Sequence, residues 1–237
     1  MRVVALIPAA GRGRRMGAER PKAFLLLGGI PLLARTLRQF EACPAIDEIW
    51  PLVPEEEVDF CTEEIVRSLG LQKIPRVLAG GAERQDSVYL GLKAAGPGTD
   101  IVIIHDGARP FIPVPLIERA VEETRRRRAV VLAIPAGDTI KEVSPEGEIR
   151  RTLDREGLWL IQTPQCFAFD LIQRAHEKAR EEGFQGTDDA ALVERLGVPV
   201  KVITGSRLNF KITTPEDLLL GEALLKTAFG DQLAAIG

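Results

Sequence analysis

The sequence is poor in the residues that most often carry covalent or metal chemistry. Its 237 residues include two histidines and three cysteines, and the cysteines are widely spaced with no C-x-x-C pair. An odd number of scattered cysteines argues against a disulfide framework and a zinc site, and it favours a reducing compartment. We therefore expect a cytoplasmic protein. No Ser–His–Asp or Cys–His arrangement for nucleophilic catalysis is evident.

Long apolar runs and a basic excess are absent as well. No run approaches the roughly 20 apolar residues of a membrane-spanning helix, and no charged-then-apolar signal segment opens the chain. The formal net charge is -3 at pH 7, which gives no general electrostatic footprint for nucleic acid. We expect neither a membrane nor a nucleic acid as partner.

What the sequence does contain is a regular alternation of apolar runs and helical patterns. The strand-like runs are 3–7, 46–53, 74–78, 101–105, 129–134 and 200–204. The helical patterns are 32–40, 55–68, 87–95, 115–126, 171–182 and 188–196. This alternation predicts a single α/β domain over residues 1–237, with a doubly wound, mostly parallel sheet. Ligands in such sheets bind at the carboxyl ends of the strands.

One segment interrupts the alternation. Residues 139–143 and 148–153 have the pattern of two strands joined by a four-residue turn. An isolated hairpin is marginally stable in water, so it has to pack on something. One interpretation is an arm over residues 138–158 that grips a second subunit; the other is a hairpin folded back on its own sheet edge. The pattern leaves both open.

The loop after the first apolar run concentrates positive charge. From Pro8 to Lys22 it reads P-A-A-G-R-G-R-R-M-G-A-E-R-P-K, with five cations in the last eleven positions. Cations this close repel one another unless an anion lies among them, and glycines let backbone N–H groups approach a ligand. The loop indicates a cradle for a phosphate chain, with a solvated basic loop as the alternative.

Neither of the two common phosphate-loop motifs is present. A Walker A loop requires Gly-Lys-Ser/Thr, which does not occur, and a G-x-G-x-x-G fingerprint fails because Met16 replaces its last glycine. What remains is a glycine loop with a distal lysine. That combination suits a nucleoside triphosphate attacked at its α-phosphorus.

Two further segments carry candidate binding residues. The turn Gly80–Ser87 leads into a helix, and it could contact a base or ribose or merely cap that helix. Asp106 and Arg109 follow the fourth apolar run; Asp106 could hold Mg²⁺ or a substrate hydroxyl, and Arg109 could clamp a phosphate. The alternative for these two is a mutual salt bridge. Of the two histidines, we expect His105 to be structural and His176 to be solvated on a polar helix.

Together these motifs resemble one family, the 2-C-methyl-D-erythritol 4-phosphate cytidylyltransferases. In order along the chain they are P-A-A-G-x-G-x-R-M with P-K, G-G-x-E-R-x-D-S-V, H-D-x-A-R-P, D-T-I-K, D-R-x-G-L-W…Q-T-P-Q and N-x-K-I-T-x-P-E-D-L. The resemblance implies a Rossmann-like nucleotidyltransferase fold with a projecting β-arm. It implies a Mg²⁺-dependent homodimer that makes 4-diphosphocytidyl-2-C-methyl-D-erythritol and diphosphate from CTP, in the non-mevalonate isoprenoid route.

The resemblance also implies roles for individual residues. Arg15 and Lys22 match the cations that hold the triphosphate and stabilise the transition state, whereas Arg155 and Lys211 match catalytic cations that orient the attacking phosphate. The positions matching the CTP site are Pro8, Ala9, Ala10, Gly11, Arg15, Lys22, Gly81 and Ser87. The positions matching the second-substrate site are Asp106, Arg109, Thr139, Arg155, Thr163 and Lys211. In this scheme Arg155 and Thr163 reach the site from the partner's arm.

Two positions depart from the family's pattern, and two rival functions are compatible with the sequence. Ala82 stands where the family often has an acid, and Gly107 replaces the usual alanine of H-D-A-A-R-P, which should loosen that turn slightly. A ribitol-5-phosphate cytidylyltransferase would share the CTP loop and differ in the polyol. A nucleotide-binding regulator without turnover would be expected to lose Arg15, Lys22 or Asp106, and all three are present.

Overall fold

A seven-stranded sheet forms the centre of the computed structural model, which describes residues 1–11 and 21–227. The strands in chain order are β1 Val3–Pro8, β2 Leu26–Leu27, β3 Ile30–Pro31, β4 Glu48–Val53, β5 Leu78–Ala79, β6 Ile101–Ile104, β7 Ala129–Pro135, β8 Lys141–Val143, β9 Ile149–Thr152, β10 Trp159–Ala168 and β11 Lys201–Thr204. The order across the sheet is β11-β7-β10-β6-β1-β4-β5, and every pairing is parallel except the two made by β10. The predicted doubly wound, mostly parallel sheet is therefore confirmed.

Helices cover both faces of this sheet. The α-helices are α1 Leu32–Glu41, α2 Val58–Phe60, α3 Arg84–Ala95, α4 Val114–Arg127, α5 Phe169–Glu181, α6 Asp189–Glu194 and α7 Pro215–Leu225. The predicted helix over 55–68 is divided into a 3-10 turn Glu55–Glu57, the short α2 and a π-helical stretch Cys61–Arg67.

The central strands are buried on both sides, which explains their continuous apolar runs. In β1, Val3 and Ile7 face one hydrophobic cluster and Val4 and Leu6 face the other. Because successive side chains point to opposite faces, every side chain of a strand covered by helices on both faces is buried, and polar residues are disfavoured there. Burying one such side chain stabilises the fold by about 1.5–3 kcal/mol.

The strand β10 was not among the predicted strands. Its sequence W-L-I-Q-T-P-Q-C-F-A contains Pro164, and a proline normally excludes a central strand because it lacks the N–H needed for the ladder. Here the register shifts between Ile161 and Gln165, so Pro164 lies at an irregularity where no ladder bond is required. Thus β10 can run antiparallel between β7 and β6.

The predicted hairpin is confirmed. The strands β8 and β9 pair with each other as a separate two-stranded sheet, and among the described residues neither joins the main sheet. The hairpin thus does not extend the main sheet within residues 1–11 and 21–227, and an arm that grips a second subunit stays a prediction. We refer to residues 138–158 as the arm. Among the residues described, no helix is both long and apolar enough to cross a membrane.

Candidate active site

The start of the first predicted loop, Pro8–Gly11, and the Asp106 segment meet at the carboxyl edge of the sheet. The strands β1 and β6 are parallel neighbours, so the segments that follow them both leave the sheet at the same edge. The N–H of His105 donates to the carbonyl of Leu6 at 3.0 Å, and the N–H of Gly107 donates to the carbonyl of Pro8 at 3.2 Å. The turn containing Gly107 is tied down in this way, and the looseness expected for it stays a prediction.

The glycine turn before α3 packs directly against the first loop. A Cβ added to Gly80 would lie 2.6 Å from the Cβ of Ala10, and one added to Gly81 would lie 2.4 Å from the Cβ of Asp86. No side chain fits at either glycine, so the turn requires them. The Ser87 hydroxyl accepts from the Gly81 N–H at 3.0 Å and donates to the Glu83 carbonyl at 3.1 Å. Ser87 is buried and holds the turn; its contact with CTP stays a prediction.

Lys22 lies in a short 3-10 turn, Lys22–Phe24, that resumes the described chain. Lys22 is half-buried, and the turn is anchored by Phe24, whose ring meets that of Phe60 edge-on at 5.6 Å between centroids. The predicted partner of Lys22, Arg15, lies outside the described residues, as do residues 12–20 as a whole. The pairing of these two cations on a triphosphate therefore stays a prediction.

The carboxylate of Asp106 is surrounded by three cations. Its Oδ1 accepts from Arg84 Nε at 3.1 Å, and its Oδ2 lies 3.3 Å from Arg109 Nε and 3.0 Å from Lys211 Nζ. The predicted salt bridge between Asp106 and Arg109 is thus present, inside a larger group. We call Asp106, Arg84, Arg109 and Lys211 the Asp106 cluster.

The Asp106 cluster carries excess positive charge. Burial opposes ionisation of Asp106, but Lys211, Arg84 and Arg109 together hold its pKa well below its usual range. Burial likewise lowers the pKa of Arg109, and Asp106 counters that effect. Arg84 has a second partner, Asp189, so three cations face two carboxylates. The remaining positive charge suits a bound phosphate.

A buried hydrogen-bond network fixes the backbone beneath the Asp106 cluster. The Thr163 hydroxyl accepts from the Asp106 N–H at 3.0 Å and lies 3.1 Å from His105 Nδ1, while His105 Nε2 lies 3.1 Å from the carbonyl of Arg109. Because that carbonyl can only accept, we assign the imidazole proton to Nε2 and let Thr163 donate to Nδ1. Burial lowers the pKa of His105 to about 3, so the ring is neutral at pH 7. His105 is structural, as predicted.

This network corrects the expected position of Thr163. The resemblance assigned Thr163 to the partner's arm, yet its hydroxyl contacts Asp106 and His105 of the same chain. The reason is β10, which the sequence pattern missed. That strand runs beside β6, with Gln165 opposite Ile104, and so carries Thr163 to the end of its own β6.

The remaining second-substrate residues lie at the base of the arm. Arg155 is exposed, and its Nη1 donates to the carbonyl of Gly137 at 2.8 Å. Thr139 is exposed as well. The hydrogen bonds described within one chain do not connect either residue to the Asp106 cluster, so their part in the site stays a prediction.

The donor set around Asp106 does not fit a resident metal ion. Both of its oxygens already face cations, and a divalent cation there would be repelled by Arg84, Arg109 and Lys211. Within residues 1–11 and 21–227, no group of three or more His, Cys, Asp or Glu side chains is placed to hold a metal. Asp106 as a metal ligand is therefore unsupported.

The sequence prediction missed the role of one member of the Asp106 cluster, Arg84, and misplaced a nearby residue, His176. His176, expected to be solvated, is fully buried and its Nε2 lies 3.2 Å from Asp189 Oδ1. The helical period could have found it, since Ile172 and Ala179 are buried on the same face of α5. Arg84 is the arginine of the G-G-x-E-R-x-D-S-V motif, and the sequence predicts no role for it.

The site and the fold together define a class. A doubly wound α/β sheet with a glycine turn and a cationic cluster at its carboxyl edge is typical of proteins that bind phosphorylated ligands. Comparison with known proteins narrows this class. The sequence model described as IspD, 2-C-methyl-D-erythritol 4-phosphate cytidylyltransferase, matches residues 3–227.

Relatives and solved structures agree with that match. A 2-C-methyl-D-erythritol 4-phosphate cytidylyltransferase from Geotalea uraniireducens is 52% identical over 229 residues, covering 96% of this chain and 98% of the relative. The crystal structure of the 4-diphosphocytidyl-2C-methyl-D-erythritol synthase from Anaerococcus prevotii superimposes with a TM-score of 0.84 at 33% identity, covering 95% and 96% of the two chains. The cytidylyltransferase from Thermus thermophilus gives a TM-score of 0.77 at 38% identity, covering 94% and 98%. The chain belongs to the 2-C-methyl-D-erythritol 4-phosphate cytidylyltransferase family.

Proposed function

We propose that this chain transfers CMP from CTP to 2-C-methyl-D-erythritol 4-phosphate, giving 4-diphosphocytidyl-2-C-methyl-D-erythritol and diphosphate. The observation that carries the proposal is the Asp106 cluster, whose excess positive charge lies beside the loop Pro8–Gly11 and the Gly80–Gly81 turn. Two phosphorylated substrates require two cationic regions. The Asp106 cluster would supply one of them, and the cations predicted in the first loop would supply the other. Membership of the family selects the substrates.

The reaction needs no general base from the protein. An oxygen of the methylerythritol phosphate, already ionised near pH 7, attacks the α-phosphorus of CTP in line. A new O–P bond forms, the bond from the α-phosphorus to the bridging oxygen breaks, and diphosphate leaves with the electron pair. Catalysis then consists of alignment and neutralisation of charge.

The candidate residues would divide these tasks. Arg109 and Lys211 converge on one carboxylate and would orient the attacking phosphate, while Lys22 and Arg15 would neutralise the triphosphate. A cation about 4 Å from a phosphate oxygen interacts by roughly 4 kcal/mol at an effective dielectric constant near 20. Only the part of that interaction that grows towards the transition state accelerates the reaction.

A Mg²⁺ ion would enter this site with its nucleotide. The resemblance implies a requirement for Mg²⁺, whereas the Asp106 cluster does not fit one. We therefore assign the ion to the CTP complex as a part of the substrate, and derive no protein ligand for it. A cytoplasmic location likewise stays a prediction from the cysteine content.

The arm would complete the site of a second copy. Support comes from the exposed apolar residues Val143 and Ile149 on the arm and from the position of Arg155 at its base. In a homodimer the partner's arm could then bring Arg155 and Thr139 to the Asp106 cluster, which they do not contact within one chain.

The function is tested by measuring diphosphate release with CTP and each polyol phosphate. We expect turnover with 2-C-methyl-D-erythritol 4-phosphate and at least about 100-fold lower kcat/KM with ribitol 5-phosphate, because a site built to bond particular hydroxyls leaves polar groups unpaired with the wrong polyol. The reverse preference would establish the ribitol-5-phosphate enzyme. Tight CTP binding without diphosphate release would establish the regulator.

A further inference from the structure

A line of charged and polar side chains extends from Asp106 into the core. Asp106 Oδ1 accepts from Arg84 Nε at 3.1 Å, and Arg84 Nη1 donates to Asp189 Oδ2 at 2.7 Å. The other oxygen of Asp189 lies 3.2 Å from His176 Nε2. The four residues come from the segment after β6, from α3, from α6 and from α5. Neither the sequence motifs nor the family resemblance assigns a role to Arg84, Asp189 or His176.

The two innermost members are almost completely removed from solvent. The Asp189 side chain is 1% exposed and that of His176 is 0% exposed. A buried carboxylate is costly unless it is paired, and Arg84 together with the His176 hydrogen bond keeps the pKa of Asp189 below its usual range despite burial. Among the described residues, His176 Nδ1 has no hydrogen-bond partner, so Asp189 is the anchor of that ring.

The geometry of Arg84 explains what this buried pair does. Arg84 uses different nitrogens of one planar guanidinium for its two carboxylates, so fixing one side of the plane fixes the other. Burial alone would lower the pKa of Arg84, but Asp189 and Asp106 raise it, so the group stays charged. With Oδ1 of Asp106 held by Arg84, its Oδ2 is directed to Arg109 and Lys211.

A glutamine ties the inner end of this line to the sheet. Gln165 Oε1 accepts from the N–H groups of Asp189 and Ala190, each at 3.1 Å, and its Nε2 donates to Asp188 Oδ2 at 2.7 Å. Gln165 lies on β10, two residues after Thr163, which accepts from the Asp106 N–H. The strand β10 thus holds the backbone of Asp106 through Thr163, and it holds the side chain of Asp106 indirectly, through Gln165, Asp189 and Arg84.

We propose that Arg84, Asp189 and His176 are positioning residues, which together hold the Asp106 carboxylate, and through it Arg109 and Lys211, in the arrangement that receives the attacking phosphate. The proposal rests on the proposed function for the identity of that phosphate. The three residues do not need to touch either substrate. Their effect is on alignment, where a displacement of about 1 Å is enough to lower a rate about 100-fold.

The test compares variants that keep volume and charge while breaking the geometry. Arg84→Lys keeps the cation but loses the two-sided fork, and we expect its kcat/KM for the polyol phosphate to fall about 100-fold with the KM for CTP within about 2-fold of wild type. His176→Phe removes the donor to Asp189, and we expect a loss of about 10-fold. His176→Gln can again donate to Asp189, and it should recover most of that loss.

A matched control distinguishes a positioning effect on Asp106 from a general loosening of the contact between α3 and α5. Arg180 on α5 pairs with Asp86 on α3 at 3.1 Å, so Arg180→Lys disturbs a surface link between elements that also carry the inner residues. We expect kinetics equal to wild type. If Arg84→Lys lowers Tm and affects the KM for both substrates equally, or if His176→Gln is no better than His176→Phe, the three residues are merely structural and the proposal is overturned.

A binding measurement keeps this test separate from that of the proposed function. Wild-type protein inactive with both polyol phosphates would overturn the proposed function alone. Calorimetry with inorganic phosphate as the probe then decides on the positioning residues. We expect about 10-fold weaker binding to Arg84→Lys than to wild type or Arg180→Lys. Equal affinity in all three proteins would overturn the proposal.

Discussion

The Asp106 cluster and the arm are opposite kinds of region within one chain. Asp106 is buried, and three cations and a backbone–hydroxyl bond from its own chain already fix it. On the arm, Val143 is 51% exposed and Ile149 is 64% exposed, on a hairpin paired with nothing else described. Since a two-stranded hairpin is marginal alone, the arm has apolar surface to bury elsewhere. In the proposed homodimer, the Asp106 cluster would already be in place within each chain, whereas the arm would reach its functional position only on assembly.

The largest effect is expected for Lys22→Ala, which changes a residue predicted to bind CTP from within the same chain as the Asp106 cluster. We expect kcat to fall by about 100- to 1000-fold with a small change in the KM for CTP, because an interaction that strengthens in the transition state lowers kcat when it is removed. The measurement is steady-state diphosphate release. Lys201→Ala, at an exposed position on β11, serves as the control and should match wild type. An unchanged kcat would remove Lys22 from the catalytic machinery.

The role of the arm is tested by mixing two inactive proteins, Lys22→Ala and Arg155→Ala. If the arm serves the neighbouring site, a mixed dimer has one site with both lesions and one with neither. With random exchange half of the dimers are mixed, so activity should return to about one quarter of wild type. The measurement is diphosphate release after subunit exchange.

The opposite outcome of the mixing experiment is equally clear. If Lys22 and Arg155 belonged to the site of one chain, every site in a mixed dimer would carry one lesion. Mixed dimers confirmed by mass that stay inactive would therefore show that the arm does not complete its neighbour's site, and the contrast between the two regions would lose its functional meaning.

The buried character of the first region predicts a pH dependence of stability. Burial lowers the pKa of His105 to about 3 from an ordinary 6.5. Between these values the unfolded chain binds a proton that the folded chain does not, so the free energy of unfolding falls as the pH decreases below 6.5. At pH 5 the loss is about 2 kcal/mol relative to pH 8.

The measurement is urea unfolding at pH 8 and pH 5 for wild type and His105→Gln. The variant should show a pH-dependent loss smaller by about 2 kcal/mol, whatever its absolute stability. Asp106, whose pKa lies below its usual range, adds its own loss only when the pH falls below about 4, where the unfolded carboxyl titrates. Equal losses in the two proteins would mean that His105 does not control this window.

The two regions also differ in how far the sequence predicts them. The buried runs of β1 and β6 follow from apolar pattern, and the arm follows from a turn between two short strands. In contrast, Pro164 and its polar neighbours do not have the pattern of a central strand. The register shift that accommodates them in β10 cannot be predicted from the local sequence. The resemblance placed Thr163 on the partner's arm, whereas β10 carries it to the end of β6 in its own chain.

Long-range pairing explains the remaining errors. Arg84 and Asp189 are 105 residues apart, and nothing near either residue indicates its partner. The polar neighbours of His176 along the chain predict a solvated side chain, whereas its burial follows from buried residues one helical turn away. Local sequence therefore indicates the loops and turns at the sheet edge better than the buried side chains that lie beneath them.

The smallest expected effect tests the arm's apolar surface directly. Ile149→Ser removes an exposed apolar side chain, so the unfolding of an isolated chain should change little. If that side chain is buried against a second copy, losing it costs about 1–2 kcal/mol of association, and the dimer Kd should rise about 10-fold in sedimentation equilibrium. Leu219→Ser is the matched control, because Leu219 is 71% exposed on α7, outside the arm, and its Kd should equal that of wild type. A weakened dimer in both variants would point to general surface hydrophobicity, and no weakening in Ile149→Ser would show that this position of the arm faces solvent in the assembled protein too.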